Sequence, residues 1–464
     1  MSKPLLPLAV SFVSISTLYA VELADLAGDW NLTELQTPSR LREQYQNTET
    51  GAFRTTFDSS GVAGEDEVLH DVFYPDPALV GQRSLSISDT GVVTGDETGN
   101  ILGISRNRLL YSDGEDLVNL YTNTAGDIIL TNSEDDDQQS VTMILKKPDA
   151  ISLAELAGNW TLISFITPKD ISKNTSGGRV SDVFFGADAQ TQTYSVTMDA
   201  SGNLTGAFPG TVTTGTDSIT VDLGPQQIIF KVNASKDFMT ARIADDDEEE
   251  LLVLLKNPSA VNTSDLAGTW SISTLRIPTT LTETYYNDSS MSVRFADSDQ
   301  MPGANETLVD VFHPDSFTSK RYQLAVDNSG AFTGIDSGGT LTPQAGGVVL
   351  FNIDGDLPLN INAGKTLMIG TTGDDDELEL IVAIKTSGEV VEDLEDRAEL
   401  VTLREPSGKL ILNWNAEAGT ILEEASSLSP DDWGVSPASS SSGSAVINPE
   451  EALRKFYRIA PVGE

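Results

Sequence analysis

Three Asp residues recur at matched positions, Asp71, Asp182 and Asp310, each followed by Val-Phe. A recurring carboxylate is the first candidate for acid–base chemistry, since hydrolysis of a glycoside by two carboxyl groups needs them about 5–10 Å apart. Histidine offers no common partner, because His70 precedes its Asp-Val-Phe whereas His313 follows its own. With two His and no Cys in 464 residues, zinc and iron–sulfur sites lack ligands, and cysteine nucleophiles and disulfides are excluded. No Ser-centred elbow, phosphate loop or metal-ligand His pair is present. A fold role, in which each Asp accepts backbone N–H bonds at a turn, also explains the recurrence and is preferred. No enzymatic activity is expected, and an extracellular glycoside hydrolase with a carboxylate pair is the catalytic alternative.

A second set of carboxylates could attract a hard cation. The triplets Asp135 to Asp137, Asp245, Asp246 and Asp247, and Asp374, Asp375 and Asp376 supply oxygens, but not the alternating ligands and central Gly of a calcium loop. Calcium is therefore the one cofactor considered, weighed against a solvated acidic hairpin tip. A third set is aromatic and cationic: Tyr45, Phe53, Arg54 and Phe57 in one insertion, and Tyr285, Tyr286, Arg294 and Phe295 in another. Such residues on long loops are binding anchors. A strand pair that buries the rings is the equal alternative. Partner class is limited by charge: 70 Asp and Glu against 28 Lys and Arg give a net −42, which repels nucleic acid and anionic lipid.

The elements that carry these residues come in three copies. Leu26-Ala-Gly-Asp-Trp30, Leu156-Ala-Gly-Asn-Trp160 and Leu266-Ala-Gly-Thr-Trp270 open them, and strand-like stretches follow, ending at Pro38, Pro168 and Pro278. After each Asp-Val-Phe comes a turn with Asp, Gly and Thr-Gly, beginning at Asp89, Asp199 and Asp327, and each copy closes on the acidic triplet and Lys146, Lys256 or Lys385. From Asp-Val-Phe to the turn Asp is 18, 17 and 17 residues, then 46, 46 and 47 to the triplet, then 11 to the Lys. Trp to Asp-Val-Phe is 41, 22 and 40 residues, so the first and third copies carry an insertion that the second lacks. Period-two patterning in Gln192-Thr-Tyr-Ser-Val-Thr-Met198 and Ser218-Ile-Thr-Val-Asp-Leu223 predicts strands. The apolar runs Leu251 to Leu255 and Leu378 to Ile384 place the triplets at hairpin tips. No helix is expected inside a copy. Trp30, Trp160 and Trp270 are expected as core anchors rather than sugar platforms.

The Leu-Ala-Gly-x-Trp opening, the short strands and a length of about 110 to 130 residues per copy resemble lipocalin-like, calycin-type β-barrels. In that family a Gly-x-Trp lies on the first strand, and its indole closes the bottom of the barrel. Here the copies close on Lys where the family pattern has an Arg packed on the Trp. Beyond residue 400, Leu410-Ile-Leu-Asn-Trp414, Thr420-Ile-Leu-Glu423, Asp431-Asp-Trp433 and Lys455-Phe-Tyr-Arg-Ile459 resemble a fibronectin-like C-terminal module of secreted proteins of Verrucomicrobia-type marine bacteria. That resemblance implies surface attachment.

The expected architecture is all-β: three tandem antiparallel β-barrel or β-sandwich repeats plus a small C-terminal β-sandwich. Residues 1–20, with Lys3, an apolar stretch and Leu18-Tyr19-Ala20, read as a signal peptide. Copies follow at 21–150, 151–262 and 263–388, an acidic linker at 389–399 and the last module at 400–464. No membrane-spanning segment is expected after signal cleavage, and no anchoring tail. The chain is expected to be a monomeric, secreted or cell-surface, non-catalytic binding or adhesion protein, its partner a polysaccharide or another extracellular protein, with avidity from the tandem copies. A lipocalin-like carrier of small apolar ligands is the alternative, which an open barrel would favour over filled barrels with exposed Tyr and Arg.

Overall fold

The computed structural model describes residues 21–386 apart from short stretches, among them 58–62, 298–301 and 374–376; beyond residue 400 it describes only strands. The leader 1–20 and the linker 389–399 lie outside the described residues.

Each copy is a closed eight-stranded antiparallel barrel in next-neighbour order. An 11-residue first strand, Gly28–Pro38, Gly158–Pro168 or Gly268–Pro278, pairs on one side with Leu79–Ile87, Gln190–Met198 or Thr318–Val326. On the other side it pairs with the closing strand, Gln138–Lys146, Glu248–Lys256 or Glu377–Thr386. Closure satisfies every strand edge.

A one-turn helix precedes each first strand, at Leu23–Leu26, Leu153–Leu156 and Thr263–Leu266, where none was expected. Four residues are too few for hydrophobic periodicity to register. The capping box Ser152-Leu-Ala-Glu155 was the available signal, with Glu155 accepting the Ser152 N–H at 3.1 Å. The helix end receives the Trp: the indole N–H groups of Trp30, Trp160 and Trp270 donate to the carbonyls of Leu26, Leu156 and Leu266 at 2.9, 2.8 and 2.7 Å. All three rings are fully buried. Each sits opposite its closing Lys in register, and Lys146, Lys256 and Lys385 lie 5.9, 5.9 and 5.8 Å from the ring centroids. The same ammonium groups donate to the helix carbonyls of Asp25, Glu155 and Asp265. Lys thus both covers the indole face and caps a helix end.

The first copy's odd spacing of 18 has a structural cause. In copies two and three, Asp199 and Asp327 accept turn N–H groups from Ser201 and Asn203 and from Ser329 and Ala331. In copy one Ser88 does this, accepting from Thr90 and Val92, and Asp89 is displaced by one residue. Measured to Ser88 the interval is 17 in all three copies. The Thr-Gly that follows is needed for close approach: Gly206 has φ 107° and a Cβ there would lie 2.6 Å from the Ser195 carbonyl oxygen.

The insertions fold as small sheets outside the barrels. Copies one and three have three strands, ordered Phe53–Phe57, Arg42–Asn47, Glu67–Phe73 and Ser292–Asp297, Thr282–Asn287, Glu306–Phe312. Copy two has only Ile171–Ser176 and Arg179–Phe185, so the extra residues amount to one added edge strand.

The three barrels pack around a common pseudo-threefold axis. Outward-facing residues of the first and last strands, such as Leu35 and Met143, Phe165 and Val253, and Leu275 and Val382, form one shared apolar core. That is why the closing strands are buried on both faces and read as continuous apolar runs. At residues 401–461 the strands form two three-stranded antiparallel sheets, Val401–Arg404, Leu410–Asn413 and Ser444–Ile447, and Gly434–Val435, Thr420–Ala425 and Phe456–Pro461.

Candidate functional site

Two places concentrate polar chemistry: the axis, and the interior of barrel one. Along the axis the contacts run in a cycle. Asp127 accepts from the Asn233 side chain at 2.8 Å, Asp237 from Asn362 at 2.8 Å, and Thr366 from Asn123 at 3.2 Å. All three Asn side chains are fully buried. Burial pushes the Asp237 carboxyl up, and nearby Asp127 adds to this. Thr366 in the third copy avoids a third buried carboxylate. Asn233 and Asn31, which head glycosylation-like triplets, are both buried and so cannot accept a glycan.

Farther along, Tyr74, Phe185 and His313, each following its Asp-Val-Phe, converge. His313 stacks on Tyr74 and Phe185 at 5.8 and 6.2 Å and accepts or donates at 3.0 Å to the Tyr74 hydroxyl. Burial lowers its pKa to about 4, so it is neutral.

The insertion sheets close this end of the axis. Glu43 accepts the Val311 N–H at 2.8 Å and Glu283 the Val183 N–H at 2.7 Å, each also bonded to the hydroxyl of its own Tyr45 or Tyr285. Lys173 occupies the corresponding strand position in copy two and reaches Asp71 at 2.6 Å. Desolvation, then the charge of Asp310, pushes Glu43 up to about 9. Glu283 is pushed by burial up to about 7. The Asp-Val-Phe motif is therefore the surface on which neighbouring copies dock: Asp310 is buried beside Glu43, Asp182 accepts from Asn174 at 2.7 Å, and Asp71 pairs with Lys173. Asp182 reaches the neighbouring copy through its charge on Glu283, its Asn174 bond lying within its own hairpin, and one oxygen each of Asp182 and Asp310 is buried without a hydrogen-bond partner among the described residues.

The expected loop anchors divide accordingly. Tyr45 and Tyr285 are fully buried in the junction, with Arg54 and Arg294 over their rings at 4.6 and 4.7 Å and ion-paired to Glu67 and Glu306. As anchors for an external ligand these two tyrosines are corrected: the insertions are strands, and strand alternation turns them inward. Tyr286 is half-buried. Phe53 and Phe295 face solvent at 53% and 67% exposure, and Val293, two residues from Phe295 on the third-copy edge strand, and Met291, in the turn just before that strand, are exposed as well. Phe57 lies on the copy-one edge strand, its side chain outside the described residues.

At the hairpin tips, Asp245 accepts the N–H groups of Asp247 and Glu248 at 3.1 and 2.9 Å, as Asp135 does from Asp137 and Gln138. Asp246 stands exposed beside them, and Asp374, Asp375 and Asp376 lie outside the described residues. Among the described residues no group of three or more His, Asp or Glu side chains is placed to hold a metal.

The barrel interiors differ. Barrel two keeps about 30 Å³, its mouth plugged by Tyr194 packed edge-on against Phe208 at 4.7 Å, with Phe230 beneath. In barrel three Phe332 and Phe351 stack at 5.1 Å. Barrel one holds an open chamber of about 330 Å³. Strand register matches Arg83 to Tyr194, and the Thr-Gly turn matches Glu97 to Phe208; Leu120 stands where Phe230 does, and Val93 where Phe332 does. The chamber floor is apolar, with Ile87, Ile101, Leu120 and Ile144, while Glu34, Arg83 and Glu97 line its polar part. Arg83 bridges the two carboxylates, and Thr142 donates to Glu34 at 3.2 Å. Barrels one and two thus do not offer equal interiors.

No protein-family model and no curated protein matches the sequence. Solved structures similar to the chain include a Transferrin Binding Protein B double mutant from Haemophilus parasuis Hp5, at 8% identity and TM-score 0.22 over 78% of each chain. Another is the isotype 1 Transferrin binding protein B from serogroup B Neisseria meningitidis, at 10% identity and TM-score 0.17 over 76% of this chain and 78% of that one. Among the described residues no helix is long and apolar enough to cross a membrane.

Proposed function

We propose that this is an exported, non-catalytic binding protein whose ligand site is the interior of barrel one, with barrels two and three serving as its scaffold. One observation carries the reading: the same fold is plugged by Tyr194, Phe208 and Phe230 in barrel two, yet contains an open chamber of about 330 Å³ in barrel one. That volume falls in the range of small-molecule pockets, which combine apolar walls with a few polar groups. The lipocalin-like resemblance supports the carrier form of this function. The deciding experiment copies the plug of the other barrels into the first. Val93→Phe with Leu120→Phe should abolish binding of a neutral environment-sensitive dye and raise stability by about 1 kcal/mol, as cavity filling does. Unchanged dye binding would place the site elsewhere.

A second reading rests on the exposed Met291, Val293 and Phe295 of the third insertion and Phe53 of the first. Apolar residues on a solvent-facing edge strand suit contact with an extracellular protein. Val293→Ser with Phe295→Ser should weaken such binding and leave dye binding intact. Glycan-array binding insensitive to that change would favour a polysaccharide.

A further inference from the structure

We propose that the barrel-one chamber selects a cationic amphiphile, an amine whose ammonium is held at Glu34 and Glu97 and whose hydrocarbon body lies over Ile87, Ile101, Leu120 and Ile144; this rests on the ligand site proposed above. The lining contains two carboxylates and one guanidinium, and Arg83 is shared between Glu34 and Glu97. The site therefore carries one carboxylate charge in excess. An anionic head group would have to draw Arg83 away from both partners, leaving Glu34, which is 11% exposed, without its cation. An ammonium instead completes a second charge pair and donates up to three hydrogen bonds to acceptors already facing the chamber. The net charge of −42 adds a field that concentrates cations and repels anions. Barrel two isolates the point, since a neutral aromatic pair, Tyr194 and Phe208, stands where Arg83 and Glu97 do. At roughly 30 Å³ per non-hydrogen atom, the chamber takes about ten of them, the size of an eight-to-ten-carbon amine.

The test displaces a neutral naphthylamine dye from the full chain with octylamine, octanol and octanoate, each below its aggregation concentration. Octylamine should displace at about tenfold lower concentration than octanol, octanoate should be weakest, and added salt should narrow the gap. Glu97→Gln should lower the amine-to-alcohol ratio at least fivefold, with an unchanged melting profile showing that the barrel is intact. Equal displacement by amine and alcohol overturns the head-group assignment while leaving the chamber as the site. Failure of the dye to bind, or binding that survives Val93→Phe with Leu120→Phe, overturns the chamber and this inference together.

Discussion

Replacing Glu43 with Gln separates the electrostatics of the insertion junction from its packing. Glu43 is fully buried and faces Asp310, the Tyr45 hydroxyl and the Val311 N–H, with Arg54 over the Tyr45 ring and Glu67 paired to Arg54. Its carboxyl is pushed up to about 9, first by desolvation and then by Asp310. The folded chain therefore holds a proton that the unfolded chain releases near its ordinary value of about 4.5. Between those values the native state binds more protons, so stability falls as pH rises; the contribution is complete below about 4.5 and lost on approach to 9. The slope is about 1.4 kcal/mol per pH unit for one group. From pH 6 to 8 the native chain should lose roughly 2–3 kcal/mol that Glu43→Gln does not, because Gln reproduces the neutral acid, accepting from Val311 and donating toward Asp310 or Tyr45. Urea unfolding followed by circular dichroism at half-unit steps from pH 5 to 9 measures the difference. Parallel curves for the two proteins would refute the claim that Glu43 is neutral in the folded state. Glu283→Gln should show the same behaviour ending near pH 7, the value to which Glu283 is pushed.

The axis ring makes a second prediction. Asp127→Ala removes the acceptor of one side-chain N–H each of Asn123 and Asn233 and of the Ser235 N–H, at a cost of about 2–4 kcal/mol in urea unfolding. Asp237→Thr, which copies Thr366 of the third copy, should cost less than half of that. Calorimetric titration of calcium to about 1 mM is expected to give no heat and no melting shift, since Asp245 is already bonded within its own turn. A heat abolished by Asp246→Asn would assign calcium to the tip instead.

The repeats were legible because they reflect what each barrel needs by itself: a buried Trp, a capped turn and a closing strand. Register followed from spacing, and the single discrepancy of 18 against 17 marked Ser88 replacing Asp. The axis was not legible, because contacts between copies leave no period in the chain. The apolar runs Leu251 to Leu255 and Leu378 to Ile384 did carry the trace, being too continuous for strands with one wet face. Asn123, Asn233 and Asn362 recur before a strand in every copy. Tyr45 and Tyr285 could not be told from loop anchors, since their burial depends on neighbouring copies. The chamber was visible only by subtraction: Arg83 and Glu97 stand out once aligned with Tyr194 and Phe208.

The size of the chamber argues against a packing defect. If it were dry, about 330 Å³ would cost on the order of 8 kcal/mol at 24 cal/mol per Å³, comparable to the whole stability of a typical domain. The ion-paired side chains Glu34, Arg83 and Glu97 admit water to part of it, which lowers that figure without filling the apolar floor. The remaining cost is offset outside the barrel, where the first and closing strands of all three copies bury their outer faces in one core. A lone barrel would leave that outer face wet and lose this support. The neighbouring copies around the common axis thus stabilise one whose interior is open. The prediction that follows is directional: weakening the shared core, as by Met143→Ala, should reduce dye binding in barrel one although Met143 faces away from the chamber. Binding unaffected by a stability loss of about 2–4 kcal/mol would show that barrel one holds its chamber without its neighbours.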